Sequence, residues 1–211
     1  MVAPGRFLPL AEETGLIGPI GEWTLRTACF EAASWIKQGA APISVAVNLS
    51  ARQLSREDFA QSITSVLHES GLEPRYLELE ITESAVMHNA EIAATALRQL
   101  KSLGVRVAID DFGTGHSSLA TLKRFPIDSV KIDHSFIFDL PDDQDDVAIT
   151  RAVIAMAHSL GLKVIAEGVE TKEQSDFLRA HDCDEMQGYF FSPPIDSAAL
   201  MRLITERRVW F

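Results

Sequence analysis

The chain has little of what would staple it covalently or carry it to a polyanion. Two cysteines, Cys29 and Cys183, occur in 211 residues and lie far apart in sequence. They read as free thiols of a reducing, cytoplasmic protein, which argues against a disulfide-framed fold. Basic residues are also short: Lys plus Arg is 19 against 30 Asp plus Glu, a formal net charge of −11. A DNA or RNA polymer needs clustered positive charge, so neither is an expected partner. A small anionic ligand stays open if metal neutralises its site. No apolar run reaches the roughly 20 residues that a membrane helix needs. Met1 to Arg6 lacks a basic-then-apolar signal architecture. None of the six histidines pair at a zinc-like spacing. Low-complexity stretches and linkers are missing too, so residues 1–211 read as one domain.

What is there is an alternation. After helical residues 6–38, interrupted at Gly15 and Gly18, short β-branched runs alternate with amphipathic segments. Strands are expected at 43–50, 76–81, 105–111, 129–133, 163–167 and 185–189. Helices are expected at 56–70, 90–102, near 117–122, and at 145–160, 171–180 and 196–206. The acidic run Asp142–Asp146 reads as a helix cap rather than a calcium loop. Regular strand–helix alternation implies a parallel sheet covered by helices. Each strand carries a polar group at or near its carboxyl end: Asn48, Glu80, Asp110 with Asp111, Lys131 with Asp133, Glu167 and Gln187. A (β/α) barrel builds its site from such ends, whereas an open doubly wound sheet concentrates chemistry at one switch point. The expected fold is α/β, a TIM-like barrel with about six of its eight strands and incomplete at its N-terminus.

The centre of the pattern is Val107-Ala-Ile-Asp-Asp-Phe-Gly-Thr-Gly115, an apolar strand that stops at two carboxylates and a glycine-bounded turn. Adjacent half-buried aspartates repel and need a cation or several donors. Hard oxygen ligands suit Mg²⁺ or Mn²⁺. The bland reading is that both aspartates are turn caps. Together, Asn48, Glu80, Asp110, Asp111 and Glu167 make five oxygen ligands, four of them ionised. Two cations about 3.5–4 Å apart would relieve the repulsion and serve a phosphodiester. Lys131 is placed to hold the attacking water or a phosphate oxygen, or is an ordinary barrel ion-pair partner. Gln187 orients a ligand or simply bonds the backbone.

Seven ordered strings then resemble a known family: Phe7-Leu-Pro-Leu-Ala-Glu12, Val47-Asn-Leu-Ser50, Glu78-Leu-Glu-Ile-Thr-Glu-Ser84, Asp110-Asp-Phe-Gly-Thr-Gly115, Val130-Lys-Ile-Asp133, Ala166-Glu-Gly-Val-Glu170 and Gln187-Gly-Tyr-Phe-Phe-Ser-Pro193. They resemble the EAL domain of bacterial cyclic-di-GMP phosphodiesterases, from about Pro4 to the C-terminus. The resemblance implies hydrolysis of cyclic di-GMP to a linear dinucleotide at two Mg²⁺ or Mn²⁺ ions. It assigns Asn48, Glu80 and Asp110 to one ion, and Asp110, Asp111 and Glu167 to the other. It assigns Lys131 to the nucleophilic water and Glu83 to anchoring the Asp-Asp-Phe-Gly turn. Gln187, Asp133 and Pro193 fall around the ligands or substrate. A homodimer is implied, with residues 134–150 near its interface.

One departure is large. The Glu-Ala-Leu string that names the family does not occur before Phe7. That glutamate is a metal ligand in the family, so weak or no turnover is expected of this chain alone. Two unpaired sheet edges would also invite a swapped or edge-paired dimer. The alternative is a non-catalytic cyclic-di-GMP receptor or protein-interaction module. An unrelated Mg²⁺ barrel enzyme fits the seven strings poorly. Tyr189-Phe190-Phe191 reads as core and rim packing, and Pro193-Pro194 as a rigid turn.

Overall fold

The computed structural model describes residues 4–40, 43–115 and 122–206. Helices α1 (Leu8–Glu13) and α2 (Ile17–Lys37) precede β1 (Val45–Leu49). Then follow α3 (Ala51–Leu54), α4 (Phe59–Ser70), β2 (Leu77–Thr82), α5 (Glu83–His88), α6 (Ala90–Ser102) and β3 (Arg106–Phe112). The chain continues through β4 (Ser129–Ile132), α7 (Gln144–Ser159), β5 (Lys163–Ala166), α8 (Lys172–Ala180), β6 (Glu185–Met186) and α9 (Ser197–Thr205). The helix expected near 117–122, and His116 beside it, fall on residues outside those described, apart from Leu122.

The six strands form one parallel sheet in sequential order, a half-barrel of the TIM type. Among the described residues β6 does not pair with β1, so the sheet is open. The edges are tied from outside. The Trp35 indole N–H of α2 donates to Ser197 Oγ of α9 at 3.1 Å, and the Ser197 hydroxyl donates to Glu31 at 2.5 Å.

Period-two alternation sorts the side chains. Leu77, Leu79, Ile81, Val107, Ile109, Val130, Ile132 and Val164 face the helices and are 0–1% exposed. Each such burial contributes roughly 1.5–3 kcal/mol. The alternate positions carry Glu78, Glu80, Asp110, Lys131 and Asp133, also buried. The inner face of this barrel is therefore charged, where most TIM barrels pack branched apolar layers.

One device recurs at the amino ends of the strands. Asp128 accepts the Val107 N–H at 2.8 Å and pairs with Lys101 at 2.5 Å. Asp184 accepts the Val164 N–H at 2.8 Å and pairs with His158 at 2.8 Å. In both cases the clamped amide lies three residues before an inward acid, Asp110 or Glu167.

The structure revises four expectations. Gly18 does not interrupt the helical region: α2 runs unbroken from Ile17, and only Gly15, at φ +77°, marks a break. Helices α3 and α5 arise from local caps, Ser50 with Gln53 and Thr82 with Ala85, in stretches too short for a periodic signal. The 56–70 helix begins at Phe59. The last strand pairs over Glu185–Met186 alone, because the chain leaves the sheet at Gln187. The acidic run does cap a helix: Asp143 accepts the N–H groups of Asp145 and Asp146.

Candidate active site

The strand ends deliver their acids to one place. β3 carries Asp110 near its carboxyl end, and the strand bulges at Asp111, whose φ is +54°, before Phe112 pairs again with Ile132. That left-handed region costs most residues 1–2 kcal/mol, and aspartate is among the few that visit it. The bulge is held by Asp111 N–H to Asp110 Oδ1 at 3.0 Å and the Thr114 hydroxyl to the Asp111 carbonyl at 2.8 Å. The second carboxylate is thereby folded back beside the first. Glu167, just beyond β5, completes a trio with Asp110 and Asp111 whose ligand atoms all lie within 4.8 Å of one another.

Lys131 sits among them. Its Nζ is 2.5 Å from Glu167, 2.7 Å from Glu80 and 3.6 Å from Asp110, and the residue is 2% exposed. Burial alone would favour the neutral amine, but the Glu80 and Glu167 carboxylates outweigh it and raise the Lys131 pKa. One ammonium does not satisfy the set. Burial raises the pKa of Glu80 and of Glu167, against the pull of Lys131. Asp111 is raised by burial and then by Asp110 and Asp133.

Four carboxylates (Glu80, Asp110, Asp111, Glu167) facing one ammonium leave a surplus of three formal negative charges. A divalent pair would more than offset that surplus, leaving one positive charge for an anionic ligand, and the donors are all hard oxygens, so the residues fit Mg²⁺ or Mn²⁺.

The remaining expected residues surround the cluster. Asn48 lies in register with Glu80 on the open edge and is exposed. Glu83 is 3% exposed, accepts the Gly113 N–H at 3.1 Å, and lies where a Gly115 side chain would stand. Burial opposes ionisation of Asp133, but the Ser135 hydroxyl and N–H and His134 prevail and lower its pKa. Gln187 is bracketed by backbone bonds, N–H to Ala166 at 2.8 Å and carbonyl from Val169 at 3.0 Å. Pro193 lines an exposed groove with Gln187, Tyr189, Phe191 and Ile195. Phe190 and Phe191 pack against the core, while Tyr189 is 65% exposed.

Two glycines set the site's loops by close approach, which the sequence does not reveal: Gly168 reads only as a strand stop and Gly188 only as part of a motif. A Cβ on Gly168, at φ +70°, would lie 2.7 Å from the His134 Cβ, and one on Gly188 would lie 2.0 Å from the Val169 carbonyl oxygen. Their signal was only the glycine following Glu167 and Gln187.

Fold and site together define a parallel β/α half-barrel with a cluster of acids at the carboxyl ends of its strands that could hold a metal ion. The comparisons narrow this class. Residues 1–194 match the EAL domain, and the chain belongs to that family. It is 45% identical over 208 residues to the cyclic di-GMP phosphodiesterase NbdA of Pseudomonas aeruginosa, covering 99% of this chain and 27% of that protein. The solved PaMucR phosphodiesterase in complex with c-di-GMP superposes with a TM-score of 0.91 at 46% identity, over 94% of this chain and 81% of that one. The EAL domain of Mycobacterium smegmatis DcpA gives 0.86 at 42% identity, over 92% and 87%. The chain spans 24–29% of the length of the first curated relatives it matches. Among the described residues no helix is long and apolar enough to cross a membrane.

Proposed function

We propose that residues 1–211 act as one cyclic-di-GMP phosphodiesterase domain that yields the linear dinucleotide with Mg²⁺ or Mn²⁺. The observation that carries this is the Asp110, Asp111 and Glu167 trio gathered around Lys131. The names of NbdA and PaMucR, at 45% and 46% identity, support the substrate class.

Asn48, Glu80 and Asp110 would hold one cation, and Asp110, Asp111 and Glu167 the other. Bound there, the pair supplies an activated water and a clamp for the phosphodiester oxygens. Lys131 keeps its proton beside Glu80 and Glu167 and offers N–H donors to the attacking water or a phosphate oxygen. Glu83 fixes the turn that bends Asp111 toward Asp110. Gln187, Asp133 and Pro193 orient ligands or substrate at the rim.

No Glu-Ala-Leu string occurs in these 211 residues, so turnover by them alone is expected to be weak. The same observation favours a second reading, a cyclic-di-GMP receptor without turnover. The open β1 edge supports self-association through edge pairing or a swap.

The test is turnover of cyclic di-GMP with Mn²⁺ or Mg²⁺, run beside Asp110→Ala. Slow turnover abolished by that substitution supports the enzyme. Binding of cyclic di-GMP without turnover supports the receptor. Neither binding nor turnover sinks both.

A further inference from the structure

Gln174 is 3% exposed and lies in the first turn of α8, away from the acids. Its Oε1 accepts the N–H groups of Glu170 at 2.7 Å and Thr171 at 3.0 Å. Its Nε2 donates to the Phe138 carbonyl at 2.9 Å. The first two bonds fix the loop that follows Glu167. The third reaches the 134–138 segment that follows β4.

That segment abuts two other site loops. His134 stands where a Gly168 side chain would be, and Phe136 comes within 3.0 Å of a Cβ on Gly113, in the Asp-Asp-Phe-Gly turn. One buried amide therefore ties the loop after β5, which follows Glu167, to the 134–138 segment after β4, and that segment in turn abuts Gly113 in the turn that follows Asp110 and Asp111.

We infer that Gln174 is a positioning residue that locks the loops after β4 and β5 in register and, through Phe136 against Gly113, supports the turn after β3, so that Asp111 and Glu167 are held at their separation. The inference rests on the proposed metal-dependent function. The competing explanation is that Gln174 is only the N3 member of the capping box with Thr171. Glutamate serves a capping box as well as glutamine. Glutamate accepts the Glu170 and Thr171 N–H groups but cannot donate to Phe138. The two roles therefore separate by substitution.

The experiment compares Gln174→Glu, Gln174→Met and Thr171→Ala by two readouts. One is Mn²⁺ affinity by titration calorimetry. The other is hydrogen exchange of the metal-free proteins over residues 134–138 and 169–171. Positioning predicts that both Gln174 variants bind Mn²⁺ about tenfold more weakly, the scale of a lost outer partner of a metal ligand. It also predicts faster exchange at 134–138 in both. Thr171→Ala loosens the start of α8 and leaves 134–138 and Mn²⁺ affinity unchanged. Wild-type behaviour of Gln174→Glu, or Gln174→Met and Thr171→Ala behaving alike, overturns the inference. Should Gln174→Glu fail to fold, the contrast between Gln174→Met and Thr171→Ala decides. Absence of Mn²⁺ binding in the unmodified protein counts against the proposed function, and hydrogen exchange still decides the role of Gln174.

Discussion

Lys131 Nζ lies 2.5 Å from Glu167 and 2.7 Å from Glu80, and so bridges β5 to β2 across the inner face of the half-barrel. It is the only cation within reach of the acids among the described pairs. Lys131→Met keeps the stem and removes the charge. Breaking a buried pair from one side costs about 3–5 kcal/mol, because the partner charges stay behind. Urea midpoints at pH 7 should fall accordingly. The loss should shrink as pH falls, because Glu80 and Glu167, whose burial favours the protonated form, take up protons, and shrink again with Mn²⁺.

Asp111 carries the opposite expectation. Its pKa is raised in the fold, by burial and by Asp110 and Asp133. The native state then holds more protons than the unfolded one above the ordinary carboxylate range. Metal-free stability must therefore decline as pH rises through that window. Asp111→Asn removes the charge and tolerates the left-handed backbone at φ +54°. Its metal-free melting temperature should rise by about 2–4 °C at pH 7, the shift that roughly 1 kcal/mol gives a domain of this size. Stabilisation by Mn²⁺ should be lost. An unchanged metal response in calorimetry would remove Asp111 from the site.

Much of this was legible in advance. The β-branched runs and glycine stops locate the strands, and the strand-end acids come together because parallel strands share one carboxyl end. Asp110, Asp111, Glu167, Glu80 and Lys131 were readable for that reason. Gln174, Asp128 and Asp184 were not readable, because their partners are backbone groups of other loops and a polar residue does not announce which carbonyl it meets. Gly18 was read as a break, since glycine has the same letter in a turn and in a helix.

That ambiguity is testable. Gly18 lies in the first turn of α2 with no non-neighbouring atom within 4 Å of its Cβ position, but Pro19 follows it. Gly18→Ala should therefore be close to neutral, the gain in helix propensity being offset by the clash with the proline ring. Gly21, in the same helix, is pressed by Gln53, whose Nε2 would lie 2.2 Å from an added Cβ. Gly21→Ala should be neutral or destabilising. At Gly188 the obstacle is the Val169 backbone, 2.0 Å away. Gly188→Ala should unseat the Glu167 loop and lower the urea midpoint most of the three.

The β1 edge yields a prediction about association. Ala46 and Asn48 are exposed there, and the strand carries no lysine or proline to blunt pairing. Sedimentation should show concentration-dependent dimers, and Ala46→Lys should shift the population toward monomer. A monomer at all concentrations would dismiss edge pairing.

The paired aspartate clamps lead to a final comparison. Asp128 and Asp184 each hold a buried strand amide, Val107 or Val164, three residues short of a site acid. Replacing either by alanine leaves a buried N–H without its acceptor, at about 1–3 kcal/mol. It also frees the strand whose far end carries Asp110 or Glu167, so both variants should bind Mn²⁺ more weakly. The two clamps differ in their second partner, the Lys101 ammonium in one and the His158 ring in the other. Burial opposes ionisation of Asp184, but the His158 ring and the Val164 N–H prevail and lower its pKa. A carboxylate lowered in the fold stabilises above its unfolded pKa and loses that contribution as pH falls through the folded value. The Asp184→Ala penalty should therefore be full at pH 6 and fade below about pH 4, the ordinary aspartate value. A penalty that persists unchanged at pH 3 would show that Asp184 acts through packing rather than through its charge.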